Sequence, residues 1–407
     1  MPGPLDGIRV LDLTRVLAGP WAAQNLADLG AEVIKLERPK KGDDARAFGP
    51  PWLKDAQGRD TGESAYFASA NRGKKSLTLD LAHPKGQAIA RALAAKSDVL
   101  LENFKFGDLD RYGLGYAQLK ELNPGLVYCS VTGFGHTGPW RERPGYDFMI
   151  QGMGGLMSIT GERDDRPGGG PQKAGIPIAD LITGMYASIA VCAALAHRAK
   201  SGAGQHLDLA LLDSLVAVLA NQGANYLATG EPPGRLGNDH PNIAPYQVFR
   251  TADGSLILAC GNDNLFRKFC EVAGCGSLPD DARFATNGKR VANRVELTRL
   301  LSEIFLRRTT REWIAGLEAA GVPCGPINDL KQVFAEPQAV ARGLKMELAH
   351  PTAGKVSLVR SPMRFSATAV EHGVPPPTLG QHTDEVLRDL LQKSTSDIAR
   401  LRAEGIV

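Results

Sequence analysis

Ile8-Arg9-Val10-Leu11-Asp12-Leu13, then Pro20 to Leu29 closed by Gly30, then Glu32-Val33-Ile34-Lys35-Leu36: the reading of this opening stretch decides the fold. The two outer runs are short and rich in apolar and β-branched residues, which predicts strands. The middle run has Pro20 near its first turn and Gly30 just past its end, the start and stop marks of a helix. The alternation continues with a helix from about Pro84 to Lys96, a strand from Asp98 to Glu102, a helix near Tyr116 to Leu122 and a strand from Leu126 to Val131. Near-continuous apolar strands separated by helices predict a parallel sheet covered on both faces, an α/β, doubly wound, Rossmann-like domain.

Outward from that domain the chain changes character. Residues 133–177 are rich in glycine and proline, so regular structure is expected to break there. A strong helix follows from Leu181 to about Lys200, then a strand-like run from Gln205 to Leu212 and a helix from Asp213 to Leu227. The break around Thr229 to Pro245 places the end of the large domain at 1–228. Strands at Tyr246-Gln247-Val248-Phe249 and Leu256-Ile257-Leu258-Ala259, with helices from Asn264, Val295 and Thr310, predict a small α+β domain over 229–324. A C-terminal segment, 325–407, passes the extended Val374-Pro375-Pro376-Pro377 run and ends in two short helices.

Composition excludes several classes. A formal charge of +3 on 407 residues, with both signs mixed along the chain, carries no basic stripe, so no nucleic-acid partner is expected. The longest apolar stretch, Met185 to Ala196, falls short of the ~20 residues that span a bilayer, and no secretory signal opens the chain, so a cytoplasmic protein without a membrane partner is expected. Six cysteines without CxxC or framework spacing read as free thiols.

Gly133-Phe134-Gly135-His136-Thr137-Gly138 matches a dinucleotide fingerprint, yet Pro139 and Pro144 oppose the helix that such a fingerprint must open. None of the eight histidines forms a close ligand pair, so no metal is expected. Neither a GxSxG elbow nor a Walker loop is present. Asp180, between the apolar run at Pro177 and the long helix, reads either as a helix N-cap or as a carboxylate kept ionised at the positive end of the helix and available as a nucleophile. Leu13 to Pro20 is a strand–loop–helix turn in which Ala18 and Gly19 admit a ligand to the backbone, and Lys35 to Arg38 ends the second strand with cations suited to a phosphate.

Taken in order, Leu5-Asp6-Gly7-Ile8-Arg9-Val10-Leu11-Asp12-Leu13-Thr14, Gly30 to Arg38, Asn71-Arg72-Gly73-Lys74-Lys75-Ser76, Glu102-Asn103-Phe104, Gly145-Tyr146-Asp147, Ala179-Asp180-Leu181 and Leu379-Gly380-Gln381-His382-Thr383 resemble the class III CoA-transferase (CaiB/BaiF) family over essentially the whole chain. The resemblance implies an interlocked homodimer, with a large domain built from both chain ends and coenzyme A as co-substrate. It implies Asp180 as the catalytic nucleophile and CoA contacts at Val16, Leu17, Ala18, Arg38, Leu79, Asn103, Phe104 and Arg111, with Tyr146 and Asp147 lining the site. Leu17 in place of the glutamine of formyl-CoA transferases, and Gly237-Asn238-Asp239-His240-Pro241-Asn242 in place of a run of consecutive glycines, weigh against oxalate–formate specificity. Further runs, among them Ala224-Asn225-Tyr226-Leu227 and Gly321 to Asn328, are most similar to the branch that moves CoA from succinyl-CoA to glutarate-like dicarboxylates, with relatives acting on 3-sulfinopropionate. A carnitine acceptor is an alternative within the family. For the far carboxylate of such an acid the expected cations are Arg15 and Arg72, with His240 next, and for oxyanions the amides near Gly154-Gly155. The family's racemases carry histidine where this chain has Tyr146, a poor base with an ordinary pKa of ~10.

Overall fold

The alternating runs build one six-stranded sheet in the computed structural model, which describes residues 2–370 and 373–407. Its strands are β1 (Arg9–Asp12), β2 (Glu32–Glu37), β3 (Lys74–Thr78), β4 (Val99–Glu102), β5 (Val127–Thr132) and β6 (His206–Ala210). They lie in the order β3-β2-β1-β4-β5-β6, and every neighbouring pair is parallel. The order reverses between β1 and β4, and ligands of doubly wound sheets bind beyond the carboxyl ends of the strands at such a reversal. Val10, Leu11, Ile34, Leu77, Leu100 and Val127 are fully buried, each contributing about 2 kcal/mol over an exposed position.

β3 is absent from the expected strands because Lys74-Lys75-Ser76 reads as polar. Lys74 is nevertheless fully buried, its Nζ 3.0 Å from Asp12 Oδ2 and donating to Asn71 Oδ1 and the Pro20 carbonyl. Tertiary pairing, not hydropathy, makes this strand. The Leu379–Thr383 run secures its edge: Ser76 N–H donates to His382 Nδ1 (3.1 Å) and Thr78 N–H to Thr383 Oγ1 (3.1 Å). Helices Thr383–Leu391 and Thr395–Ala403 then join the core beside it, so both chain ends build this domain.

Helices of this unit that bear on the site are α1 (Ala18–Asp28), α2 (Pro84–Ala94), α3 (Tyr116–Leu122), α4 (Asp147–Met153), α5 (Ile178–Ser201) and α6 (Leu211–Ala217). α4 forms inside the stretch expected to be irregular. α1 and α5 pack along each other, and Gly184 lets them close in. A Cβ there would lie 2.6 Å from the Ala18 carbonyl and 3.0 Å from Trp21 Cβ. At 24 residues α5 is long and apolar enough to cross a bilayer, exceeding the Met185–Ala196 stretch, but half of its apolar window is buried within the protein, as in a core helix.

The chain divides into two compact units, Met1–Gly154 with Ala174–Val218 and Pro337–Val407, and Gly155–Lys173 with Leu219–Glu336. The second holds an antiparallel sheet of Tyr246–Arg250, Ser255–Ala259 and Cys324–Pro326 around an aromatic core of Phe249, Phe266, Phe269, Phe305 and Trp313. Its limits differ from the expected 229–324. Cys324–Pro326 pairs with Ser255–Ala259, which carries the unit past residue 324. The single helix expected from Asp213 to Leu227 is two, Leu211–Ala217 and Ala220–Thr229, and the units part between them. Residues 155–173 join the second unit, where Gly237 N–H donates to the Gly161 carbonyl and Arg235 pairs with Asp164. All six cysteines are free.

Candidate active site

α5 begins at Ile178 with Pro177 before it, so Asp180 stands inside the first turn and is not the cap. The capping carboxylate is Asp147. Its Oδ1 accepts the Ala179 N–H at 2.8 Å and the Asp180 N–H at 3.4 Å, and its Oδ2 accepts from Gln151 Nε2 at 2.7 Å. Expected at the CoA contact surface, Asp147 is instead committed to the start of α5. The Asp180 carboxyl is left with no hydrogen bond or ion pair among the described residues. Burial first, and the charge of Asp147 second, push it up to about 7. Desolvation thus works against the ionised form that the helix end is expected to favour.

Asp180 opens into a cleft of ≈280 Å³ at the reversal of strand order. The loop after β1 supplies Arg15, Val16, Leu17 and Ala18, the loop after β4 supplies Asn103 to Phe106, and the loop after β5 supplies Arg141 to Tyr146. No side chain caps α1, whose first bond runs from Trp21 N–H to the Leu17 carbonyl. Its first-turn amides are thus open to an anion. Gly154, expected to offer such an amide, donates instead to the Ile150 carbonyl at 2.7 Å and ends α4.

The stretch matching the dinucleotide fingerprint opens no helix. Gly133 and Gly145 meet so closely that a Cβ on Gly145 would lie 2.4 Å from Gly133 Cα, which pinches the loop shut at its base. This turns Arg141 to Tyr146 toward the cleft.

A second cavity of ≈240 Å³ adjoins, lined by Leu13, Leu36, Leu79, Phe104 and Tyr112, with Arg38 at its side. Arg15 and Phe104 line both cavities, the guanidinium 5.1 Å from the ring centre. An elongated ligand is thus offered an apolar slot at one end and the carboxyl of Asp180 at the other.

Of the residues expected at the site, Val16, Leu17, Ala18, Asn103, Phe104 and Tyr146 line the cleft, and Arg38 and Leu79 the adjoining cavity. Arg111 lines neither; it is exposed and pairs with Asp108. Arg72 is unsuited to bind substrate: it is buried, paired with Asp28 and bonded to the Val359 carbonyl. His240 belongs to the second unit, where its Nδ1 accepts the Asn242 N–H at 3.1 Å. Arg15 does line the cleft, 3.6 Å from Asp44.

Three cleft cations escaped the sequence reading. Arg141 lies 3.6 Å from Glu142 and over Phe106. Lys105 and Arg143 have no carboxylate partner among the described residues, and Arg143 rests against Phe134 and Trp140. The dense charges of Arg141-Glu142-Arg143 were the available signal. Tyr66 was missed too, and nothing in its sequence marks it. Burial, then the charges of Asp180, Asp147 and Asp43, raise its phenol to about 12, which places it in the field of this cluster. No group of three or more metal-binding side chains occurs among the described residues.

Residues 5–383 match the family model described as CoA-transferase family III. The chain is 51% identical to the succinate–glutarate CoA-transferase of Agrobacterium fabrum, over 95% of this chain and 96% of that protein. It is 44% identical to the succinyl-CoA:glutarate CoA-transferase of Mus musculus, over 99% of this chain and 90% of that one. The crystal structure of a CaiB/BaiF family protein from Brucella suis superposes with a TM-score of 0.83 at 50% identity, covering 96% of this chain and all of that one.

Proposed function

The chain belongs to CoA-transferase family III, and from that premise we propose that it moves CoA from succinyl-CoA to glutarate or a similar dicarboxylic acid. One observation carries the reading. The carboxyl of Asp180 has no partner among the described residues, is half-buried and opens to a cleft that continues into an apolar slot. A carboxylate so placed is a nucleophile rather than a structural group.

In the proposed sequence Asp180 attacks the succinyl thioester, forming a mixed anhydride and releasing CoA thiolate. The thiolate attacks the aspartyl carbonyl, which leaves an aspartyl-CoA thioester and free succinate. Glutarate attacks that thioester, giving a second anhydride and thiolate. Attack of the thiolate on the glutaryl carbonyl then yields glutaryl-CoA and restores Asp180. Acyl activation is conserved at every step, so no ATP is consumed. The amides opening α1 suit the oxyanions, and the slot beside Leu79 and Phe104, with Arg38 at its edge, suits the nucleotide end of CoA.

For the far carboxylate we assign Arg143, with Lys105 second, because these cleft cations lack acidic partners. Arg143→Gln is expected to lower kcat/KM for glutarate about tenfold more than for its monomethyl ester, roughly 1.4 kcal/mol. Equal losses for both acids would remove the assignment.

The exposed Met185, Tyr186 and Ile189 on α5 support a homodimer that covers this helix, the family resemblance supports interlocked chains, and the free cysteines suit a reducing compartment such as the cytoplasm. Light scattering at the mass of one chain would contradict the dimer. Exchange of labelled succinate into succinyl-CoA, followed across a panel of acceptor acids, tests the function itself. No exchange with any acid would refute it.

A further inference from the structure

Val16, on the cleft wall, has φ +71°. A β-branched residue seldom adopts this left-handed conformation, because its Cβ substituents crowd the backbone. Such strain persists only where the surroundings over-determine it, and here they do. Asn103 grips Arg15 from both sides, Oδ1 accepting its N–H at 2.9 Å and Nδ2 donating to its carbonyl at 2.8 Å. Lys35 Nζ donates to the Thr14 carbonyl at 2.7 Å. Asp43 Oδ1 accepts the Val16 N–H at 3.0 Å, while Oδ2 lies 2.9 Å from Lys35 Nζ, both side chains being fully buried. Asp43 is itself fastened by its N–H to Glu37 Oε2 and by the Ala45 N–H to Oδ1. Three consecutive residues are thus held at four backbone groups by side chains from elsewhere in the fold.

Asp43 does not line the cleft that holds Asp180; it borders the adjoining slot, but its side chain is fully buried and turned to Lys35 and the Val16 N–H. We propose that Asp43 is a positioning residue, which with Lys35 holds Val16 left-handed and so presets the Arg15–Ala18 wall for the acyl-CoA thioester. The proposal rests on the CoA-transferase reading for the identity of the ligand. Without the Asp43 oxygen, valine relaxes to negative φ and the wall turns out of register. Glycine takes positive φ unaided, so it should not need Asp43.

The test is a double-mutant cycle read as kcat/KM for succinyl-CoA in succinate exchange. Asp43→Ala in the natural background is expected to lose at least tenfold, mainly through a higher KM. In the Val16→Gly background the same substitution is expected to lose less than threefold. A purely structural role would give the same factor in both backgrounds, and that result overturns the proposal, as does full activity of Asp43→Ala. Should Asp43→Ala fail to fold because Lys35 is left charged and buried, Lys35→Met with Asp43→Ala removes the pair together, and the same two-background comparison decides. Inactivity of the unmutated protein would instead condemn the functional reading.

Discussion

The two units treat buried polarity in opposite ways. In the second, the only fully buried charged side chain among the described residues is Arg290, and its whole guanidinium serves the fold. It donates to the Ala244 carbonyl (2.7 Å), the Phe284 carbonyl (3.0 Å) and Asp263 Oδ1 (2.7 Å), beside the aromatic core. In the first, Asp12, Lys35, Glu37, Asp43 and Lys74 are all buried along β1, β2, the start of β3 and the loop after β2. Burial works against the charge on Lys35, but Asp43, Asp12 and Glu37 outweigh it and hold the amine above its usual range. Burial lowers Lys74 to about 8 in spite of Asp12. Part of this network bonds the backbone of Thr14 and Val16, and the Asp180 carboxyl has no hydrogen bond or ion pair among the described residues. The buried guanidinium of the second unit is used up by the fold, whereas the carboxyl left over beside the cavity is the group proposed above as the nucleophile.

The sharpest way to break this comparison is to remove the unpartnered carboxyl. Asp180→Ala should retain CoA binding while exchange falls on the order of 10⁴-fold; turnover near the unmutated rate would show that the free carboxyl is idle. The counterpart in the second unit is Arg290→Met, which leaves the Ala244 and Phe284 carbonyls without their donor while Asp263 is solvated. It should cost about 2–4 kcal/mol in chemical denaturation of the full-length protein. A loss under ~1 kcal/mol would mean that the buried guanidinium is not structural.

A smaller effect should appear in the pH profile. Because burial and Asp147 push Asp180 up to about 7 and the proposed nucleophile attacks deprotonated, kcat/KM should fall as pH drops through that value and level off above it. Asp147→Asn keeps an acceptor for the α5 amides but removes the charge that raises Asp180, so the inflection should move to lower pH. An unmoved inflection would assign the whole shift to burial.

Much of the large unit was legible before any coordinates. β1, α1, β2, β4 and β5 announce themselves by apolar runs and by Pro20 and Gly30, since local pattern and final burial agree there. Legibility failed where tertiary partners override local character. β3 looks polar because its Lys74 is neutralised by Asp12, more than sixty positions away. α4 hides in a Gly- and Pro-rich stretch because Asp147 is held by amides of a different helix. Among site residues, Val16 to Ala18, Asn103, Phe104 and Tyr146 could be placed from their motifs, while Lys105, Arg141 and Arg143 on the same loops could not. Arg72 could not, since only the fold brings Asp28 against it, and Tyr66 gave no local sign at all.

Periodicity, turn residues and ordered motifs by themselves determined a doubly wound sheet and a second α+β unit and pointed to Asp180 as the candidate nucleophile, because each depends on residues near one another in the chain. Only the tertiary structure decided which carboxylate caps α5 and which stays free, which cations face the cleft, and why Val16 is bent into a left-handed turn. Those outcomes depend on desolvation and on partners distant in sequence, and neither is written in any short stretch of the chain.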